Sequence, residues 1–70
     1  MKFEAGKIYV VRKKCYVNRE KWVKSIKDKV GGNYIHIKWI KSGKEELIEQ
    51  SCILRKATER DEMSLLAELI

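Results

Sequence analysis

Proline is missing from this chain, phenylalanine and histidine each occur once, and two of the 70 residues are cysteine. No uncharged apolar run approaches the ~20 residues that a membrane-spanning helix requires. The apolar segment of a secretory leader is also missing near the start, where charged Lys2 and Glu4 flank Phe3. These absences exclude a membrane-spanning helix and predict a cytoplasmic protein.

The two cysteines, Cys15 and Cys52, lie far apart and form no CxxC motif. A structural zinc ion takes four ligands, and two cysteines with the lone His36 supply too few. Because disulfides are uncommon in the cytoplasm, we expect two reduced, partly buried thiols. Neither a cofactor nor a metal ion is predicted.

Residues that could perform catalysis do not form a recognisable set. His36 has no nucleophile motif near it in the sequence, and adjacent Glu45 and Glu46 point to opposite faces of a strand. Gly31-Gly32 lacks the Lys-Ser/Thr pair and the helix that follow a phosphate-binding loop. Since no group meets the requirements of an active site, the chain is not expected to be an enzyme.

Charge is distributed unevenly. Residues 1–58 carry fifteen lysines and arginines against six acids, a net charge of +9, whereas residues 59–70 carry one arginine against four acids, a net charge of −3. So basic a body is typical of proteins that bind a polyanion, of which nucleic acid is the simplest. Lysines outnumber arginines twelve to four, which favours phosphate contacts over sequence-specific readout.

Five segments have the composition of β-strands, and they cover residues 7–17, 21–30, 33–41, 44–49 and 52–55. The third alternates most regularly. Its apolar face consists of Ile35, Ile37 and Trp39, and its polar face consists of Tyr34, His36 and Lys38. The second repeats apolar residues at even offsets, namely Trp22, Ile26 and Val30. Turns are predicted at residues 31–33 and, as a two-residue hairpin loop, at residues 42–43.

An amphipathic helix is predicted after Thr58, which has the side chain of an N-cap and is followed three positions later by Asp61. Its apolar residues span about 200° of the helix, more than the ~100° that docking on one surface requires. Frayed ends in a small domain explain the excess, and so does a contact with a partner protein or a second copy. In the second case Leu65 and Leu69 would make that contact.

Five short strands, tight turns and one helix predict a mainly β domain, a small, twisted, partly open antiparallel barrel over residues 1–57 with a C-terminal α-helix over residues 58–70. An OB-type barrel is the alternative, but it requires a helix between the third and fourth strands, and the sequence offers none there.

The segment YIHIKWIKSGKEELIEQSCIL, residues 34–54, resembles the second half of Tudor-like chromo barrel domains, a group of five-stranded SH3-like barrels. The matched positions are Ile35-His36, Glu45-Glu46, Ile48 and Ile53-Leu54, with Trp22, Ile26, Phe3, Gly6, Tyr9 and Val10 upstream. Members that read methyl-lysine use an aromatic cage. Ile37, Ile40 and Lys44 stand where cage aromatics are expected, so the resemblance implies the fold and not that ligand.

In overall plan the chain is also similar to small archaeal chromatin barrels, which are lysine-rich and bind duplex DNA. Charge and this likeness together predict nucleic-acid binding, with duplex DNA slightly preferred over RNA. The alternative is a protein-interaction adaptor that uses the barrel or the helix, with an acidic protein as its partner. The predicted nucleic-acid-binding residues are Arg12, Lys13, Lys14, Arg19, Lys21, Trp22, Lys24, Lys27, Lys29, Tyr34, Lys38 and Lys41.

Overall fold

The computed structural model describes residues 3–28 and 32–69. Within these residues the elements are β1 (Ile8–Val11), a 3-10 helix (Lys13–Cys15), β2 (Trp22–Ser25), β3 (Tyr34–Trp39), β4 (Glu45–Glu49), a second 3-10 helix (Gln50–Cys52), β5 (Ile53–Lys56) and α1 (Glu59–Leu69). The strands pair antiparallel in one open sheet of order β4-β3-β2-β1-β5. The predicted mainly β fold with five antiparallel strands and a C-terminal helix is confirmed.

One face of the sheet carries the main core. Tyr9, Val23 and Trp39 stand side by side in the register of β1, β2 and β3, so their side chains point to the same face. The buried cluster on this face consists of Phe3, Tyr9, Val11, Val23, Ile35, Ile37, Trp39 and Ile53. The predicted alternation of β3 is therefore confirmed, with every second residue in the core.

Helix α1 covers part of the opposite face, which we call the outer face. Leu65 is 4% exposed and packs in a second buried cluster with Val10 and Trp22, which is 2% exposed. Two predictions are wrong here, because Trp22 is not available to stack on a base and Leu65 is not available to a partner. The physical reason is that α1 covers the outer face at Val10 and Trp22, so residues on both faces are buried there, whereas Lys24 farther along β2 stays exposed.

The first two strands are shorter than predicted. β1 ends at Val11 instead of residue 17, because the chain turns into a 3-10 helix. β2 ends at Ser25 instead of residue 30, and it presents Val23 and Ser25 to the interior instead of the predicted even-offset series. Val30 of that series lies outside the described residues, as does Gly31 of the predicted turn.

The connection between β3 and β4 is longer than the predicted two-residue loop. The backbone N–H of Trp39 donates to the carbonyl oxygen of Lys44 at 2.8 Å, and the N–H of Gly43 donates to the carbonyl oxygen of Trp39 at 2.8 Å. Gly43 has a φ of +75°, which a residue with a side chain rarely adopts. The glycine was read correctly as a turn residue, but the turn closes four residues between Trp39 and Lys44.

A disulfide joins Cys15 to Cys52, with Cα atoms 5.8 Å apart across 37 residues of sequence. The prediction of two reduced thiols is therefore wrong, although both residues are partly buried as expected. The two 3-10 helices bring the cysteines together, since one follows β1, the other precedes β5, and Val11 pairs with Ile53. The prediction rested on compartment alone, which carries no information about this proximity.

The start of α1 is the predicted N-cap. Thr58 Oγ1 accepts the backbone N–H of Asp61 at 3.2 Å, and an Asp61 carboxylate oxygen accepts the backbone N–H of Thr58 at 2.8 Å. This reciprocal pair satisfies donors that the first turn of a helix otherwise leaves without partners. The acidic first turn thus has a structural role in starting the helix.

Candidate nucleic-acid interface

Two lysines stand directly opposite each other on the outer face. Lys24 of β2 pairs with Lys38 of β3 in the strand register, and Glu45 of β4 is opposite Lys38 on its other side. Both lysines are exposed, and neither makes an ion pair with another residue in the described parts of the chain. We call Lys24 and Lys38 the lysine pair.

Tyr34 and His36 continue the same face of β3, because they precede Lys38 by four and two residues. Tyr34 is 52% exposed, and His36 is half-buried. His36 Nε2 lies 3.5 Å from a carboxylate oxygen of Glu45. A phenol ring, an imidazole and an ammonium group therefore follow one another along a single strand.

A polar groove of about 540 Å³ opens beside these side chains, lined by Lys27, Asp28, Tyr34, His36 and Leu47. Leu47 is 66% exposed and stands opposite His36 in the β3–β4 register. The carboxylate of Asp28 accepts the backbone N–H of Ala5 at 2.6 Å, so it has a structural partner. Of the side chains lining the groove, sequence reasoning proposed only Lys27 and Tyr34 for nucleic-acid binding.

The basic residues after β1 form a separate group. Arg12 Nε donates to the carbonyl oxygen of Ser51 at 2.9 Å, and Lys13 and Lys14 lie in the exposed 3-10 helix. Arg19 occupies a turn with a φ of +64°. These residues lie in the turns around the disulfide. They do not lie on a strand beside Lys24 or Lys38, so the strand register does not align them with the lysine pair.

Two further predicted residues are engaged within the fold. The Lys41 ammonium group forms an ion pair with Glu68 of α1 at 2.9 Å. The Lys21 ammonium group lies 4.5 Å from the ring centre of Trp22, a cation–π contact. Both lysines help to hold α1 or the buried indole, and Lys29 lies outside the described residues.

Glu20 is an acidic residue that sequence reasoning did not single out. Its side chain is buried, and the carboxylate accepts the backbone N–H of Lys41 and, at 3.4 Å, that of Ser42. A buried carboxylate is stable only when donors satisfy it. Glu20 therefore anchors the β3–β4 loop, and no sequence pattern indicated this because the partners lie more than 20 residues away.

Arg55 and Asp61 form a two-point ion pair at the base of α1. The guanidinium group donates to both carboxylate oxygens, one of them at 3.1 Å. This hydrogen bonding from Arg55, with help from Thr58, holds the pKa of Asp61 well below its usual range. The same contact raises the pKa of Arg55.

Other classes of site lack support in the described residues. Residues 3–28 and 32–69 contain no group of three or more His, Cys, Asp or Glu side chains placed to hold a metal ion. Over the same residues, α1 is too short and too polar to cross a membrane. Comparison of the chain with protein-family models, with curated proteins and with solved structures found no match.

Proposed function

We propose that this protein is a non-catalytic nucleic-acid-binding domain of low sequence specificity that contacts phosphates through the outer face of its sheet. The observation that carries the proposal is the lysine pair. Like charges directly opposite in an antiparallel sheet destabilise it. Neither ammonium group forms an ion pair with a described carboxylate, although Glu45 stands opposite Lys38 in the register. Phosphates bound by Lys24 and by Lys38 would convert this repulsion into two favourable contacts.

The fold proposed with this function is a partly open SH3-like barrel of the Tudor or chromo-barrel type. β4 and β5 are opposite edges of the sheet, yet only residues 50–52 separate them in the chain. In a flat sheet the two edges would be about 19 Å apart, whereas the chain from Glu49 to Ile53 reaches at most ~14 Å. The short connection therefore supports a strongly curled sheet.

Binding would be tested by fluorescence anisotropy of a labelled duplex of about 20 base pairs and of one of its strands, each at about 50 and 200 mM salt. The double variant Lys24→Gln/Lys38→Gln is expected to weaken binding. It should also lower the salt-dependence slope, that of the logarithm of the binding constant against the logarithm of salt concentration, by about 2 in magnitude, because each lysine neutralises one phosphate. Absence of binding to either polymer at low salt would overturn the proposed function.

The matched control is Lys44→Gln/Lys56→Gln, which removes the same charge from two lysines that already have carboxylate partners, Glu46 and Glu4. If nucleic acid responds only to net charge, both double variants lose affinity equally. If it binds the lysine pair, the control retains most of its affinity. Equal losses would overturn the assignment of the site while leaving general polyanion binding in place.

A second candidate function, protein interaction, is favoured by the exposed side of α1. Met63, Leu66 and Leu69 are exposed at 66%, 62% and 51%, and their spacing of three residues places them along one side of the helix. Glu59 and Glu62 lie in the same helix among them, so a complementary partner would offer an apolar groove with a basic rim. Leu66→Ser/Leu69→Ser would abolish such an interaction and leave nucleic-acid binding unchanged.

A second copy of this chain is one partner that a direct measurement can test. Sedimentation equilibrium of the wild-type protein and of Leu66→Ser/Leu69→Ser shows whether α1 binds a second copy of this chain or only other proteins. A wild-type dimer that the substitutions dissociate would make α1 a dimer contact. A monomer in both would restrict the second candidate to partners of other sequence.

A further inference from the structure

The outer face around the polar groove has one basic side and one acidic side, while Lys27 and Asp28 both line the groove itself. Lys24 and Lys38 lie toward β2 and β3, whereas Glu45 and Glu49 of β4 are opposite Lys38 and Tyr34. A phosphate backbone is attracted to the first side and repelled by the second. Any nucleic acid on this surface would therefore run along the β2–β3 side, with its bases directed across β3 toward β4.

Bases directed across β3 toward β4 would contact aromatic and apolar side chains. Tyr34 and His36 are about 6.6 Å apart along one face of β3, and exposed Leu47 stands opposite His36. A base lying flat on a tyrosine ring gains stacking free energy whatever its identity. In a duplex the base faces are covered by their neighbours, so only an unpaired base can make this contact.

We infer that the polar groove holds an unpaired base of a single-stranded nucleic acid, with Tyr34 as the stacking platform. The inference rests on the proposed function, because Lys24, Lys38 and Lys27 must hold the backbone for a base to reach the ring. It changes the preferred partner from the duplex expected from composition to a single strand. Asp28 also lines the groove and keeps its negative charge while it accepts the N–H of Ala5, so the phosphates would lie toward Lys24 and Lys38 and away from Asp28.

Stacking and phosphate binding are separated by two kinds of variant. Tyr34→Leu removes the ring and keeps an apolar side chain at an exposed position, whereas Tyr34→Phe keeps the ring. Tyr34→Leu is expected to weaken binding of a labelled oligothymidylate by about 5- to 150-fold, the contribution of one stacked base. Its salt-dependence slope should match that of the wild type, because the lysines still neutralise the same phosphates. Tyr34→Phe should bind within about twofold of the wild type, since it retains the ring face.

The duplex provides the discriminating comparison. The wild-type protein is expected to bind the oligothymidylate more tightly than a duplex of equal length, and Tyr34→Leu is expected to narrow this difference by weakening oligothymidylate binding more than duplex binding. Equal affinity for both polymers, with no effect of Tyr34→Leu on either, would overturn the single-strand inference and leave the proposed function standing. Absence of any binding at low salt would overturn both.

Nuclear magnetic resonance on the wild-type protein gives a readout that needs no substitution. Titration with the oligothymidylate is expected to shift the resonances of Tyr34, His36 and Leu47 together with those of Lys24 and Lys38. Shifts confined to the 3-10 helix Lys13–Cys15 and the turn at Arg19 would place the polymer elsewhere and overturn the inference. Circular dichroism of each variant establishes that the fold is retained.

Discussion

Cys15 and Cys52 form a disulfide that links the 3-10 helix after β1 to the 3-10 helix before β5, and β1 and β5 are neighbouring strands of the sheet. A cross-link stabilises a protein chiefly by restricting its unfolded chain. The link also ties the basic 3-10 helix that begins at Lys13 to the β4–β5 connection. Stability and the position of that basic segment therefore depend on the oxidised state.

Reduction is expected to lower the free energy of unfolding by about 2–4 kcal/mol. Urea denaturation with and without dithiothreitol measures this difference. The variant Cys15→Ser/Cys52→Ser should have the stability of the reduced wild type and should not respond to reductant. Equal stability of the oxidised and reduced wild-type protein would contradict the prediction.

Substitutions of two neighbouring leucines in α1, Leu65 and Leu66, are expected to lower the free energy of unfolding by very different amounts. Leu65→Ala removes a buried side chain between Val10 and Trp22 and should cost about 2–5 kcal/mol. Leu66→Ala changes a side chain that is 62% exposed and should alter stability by less than about 0.5 kcal/mol. Chemical denaturation of the two variants checks this, and comparable losses would mean that α1 does not pack on the sheet as described.

The Arg55–Asp61 contact predicts a specific acid sensitivity. Because the folded pKa of Asp61 is below its unfolded value of ~3.9, the contact stabilises the fold fully above that pH. Its contribution disappears as the pH falls further through the folded pKa. Asp61→Asn should therefore be less stable than the wild type at pH 7 and should lose less stability on acidification below about pH 4.

Glu62→Gln is the control for this experiment, since it removes an acid from the same first turn that has no ion-pair partner among residues 3–28 and 32–69. Thermal unfolding at pH 7 and at several values below pH 4 compares the three proteins. If Asp61→Asn and the wild type follow parallel curves, the Arg55 contact does not govern acid stability.

Removal of the Glu20 carboxylate is expected to loosen the β3–β4 loop. Glu20→Ala leaves the N–H groups of Lys41 and Ser42 without their acceptor and should cost about 1.5–3 kcal/mol, the range for hydrogen bonds to a charged group. Hydrogen exchange should accelerate most at these two amides. Glu46→Ala, which breaks only a surface ion pair with Lys44, should cost less than about 1 kcal/mol.

Local patterns predicted the parts of this protein that depend on neighbouring residues. The alternation of β3 was read correctly because one of its faces lies in the main core and the other is largely open. The start of α1 was read correctly because Thr58 and Asp61 satisfy each other three residues apart. The positions of Lys24 and Lys38 on strands were also predictable, but their direct opposition required the register.

Tertiary structure alone decided the features that join distant segments. Trp22 and Leu65 are buried because α1 packs on the outer face over Val10 and Trp22. Where a strand is covered on both faces, alternation reveals no solvent side. Cys15 meets Cys52 because β1 pairs with β5 across the sheet. The sequence by itself determined which segments become strands or helix and that the body is basic. The folding of the sheet determined which charges stand together and which rings remain exposed, because those distances depend on pairing between segments far apart in the chain.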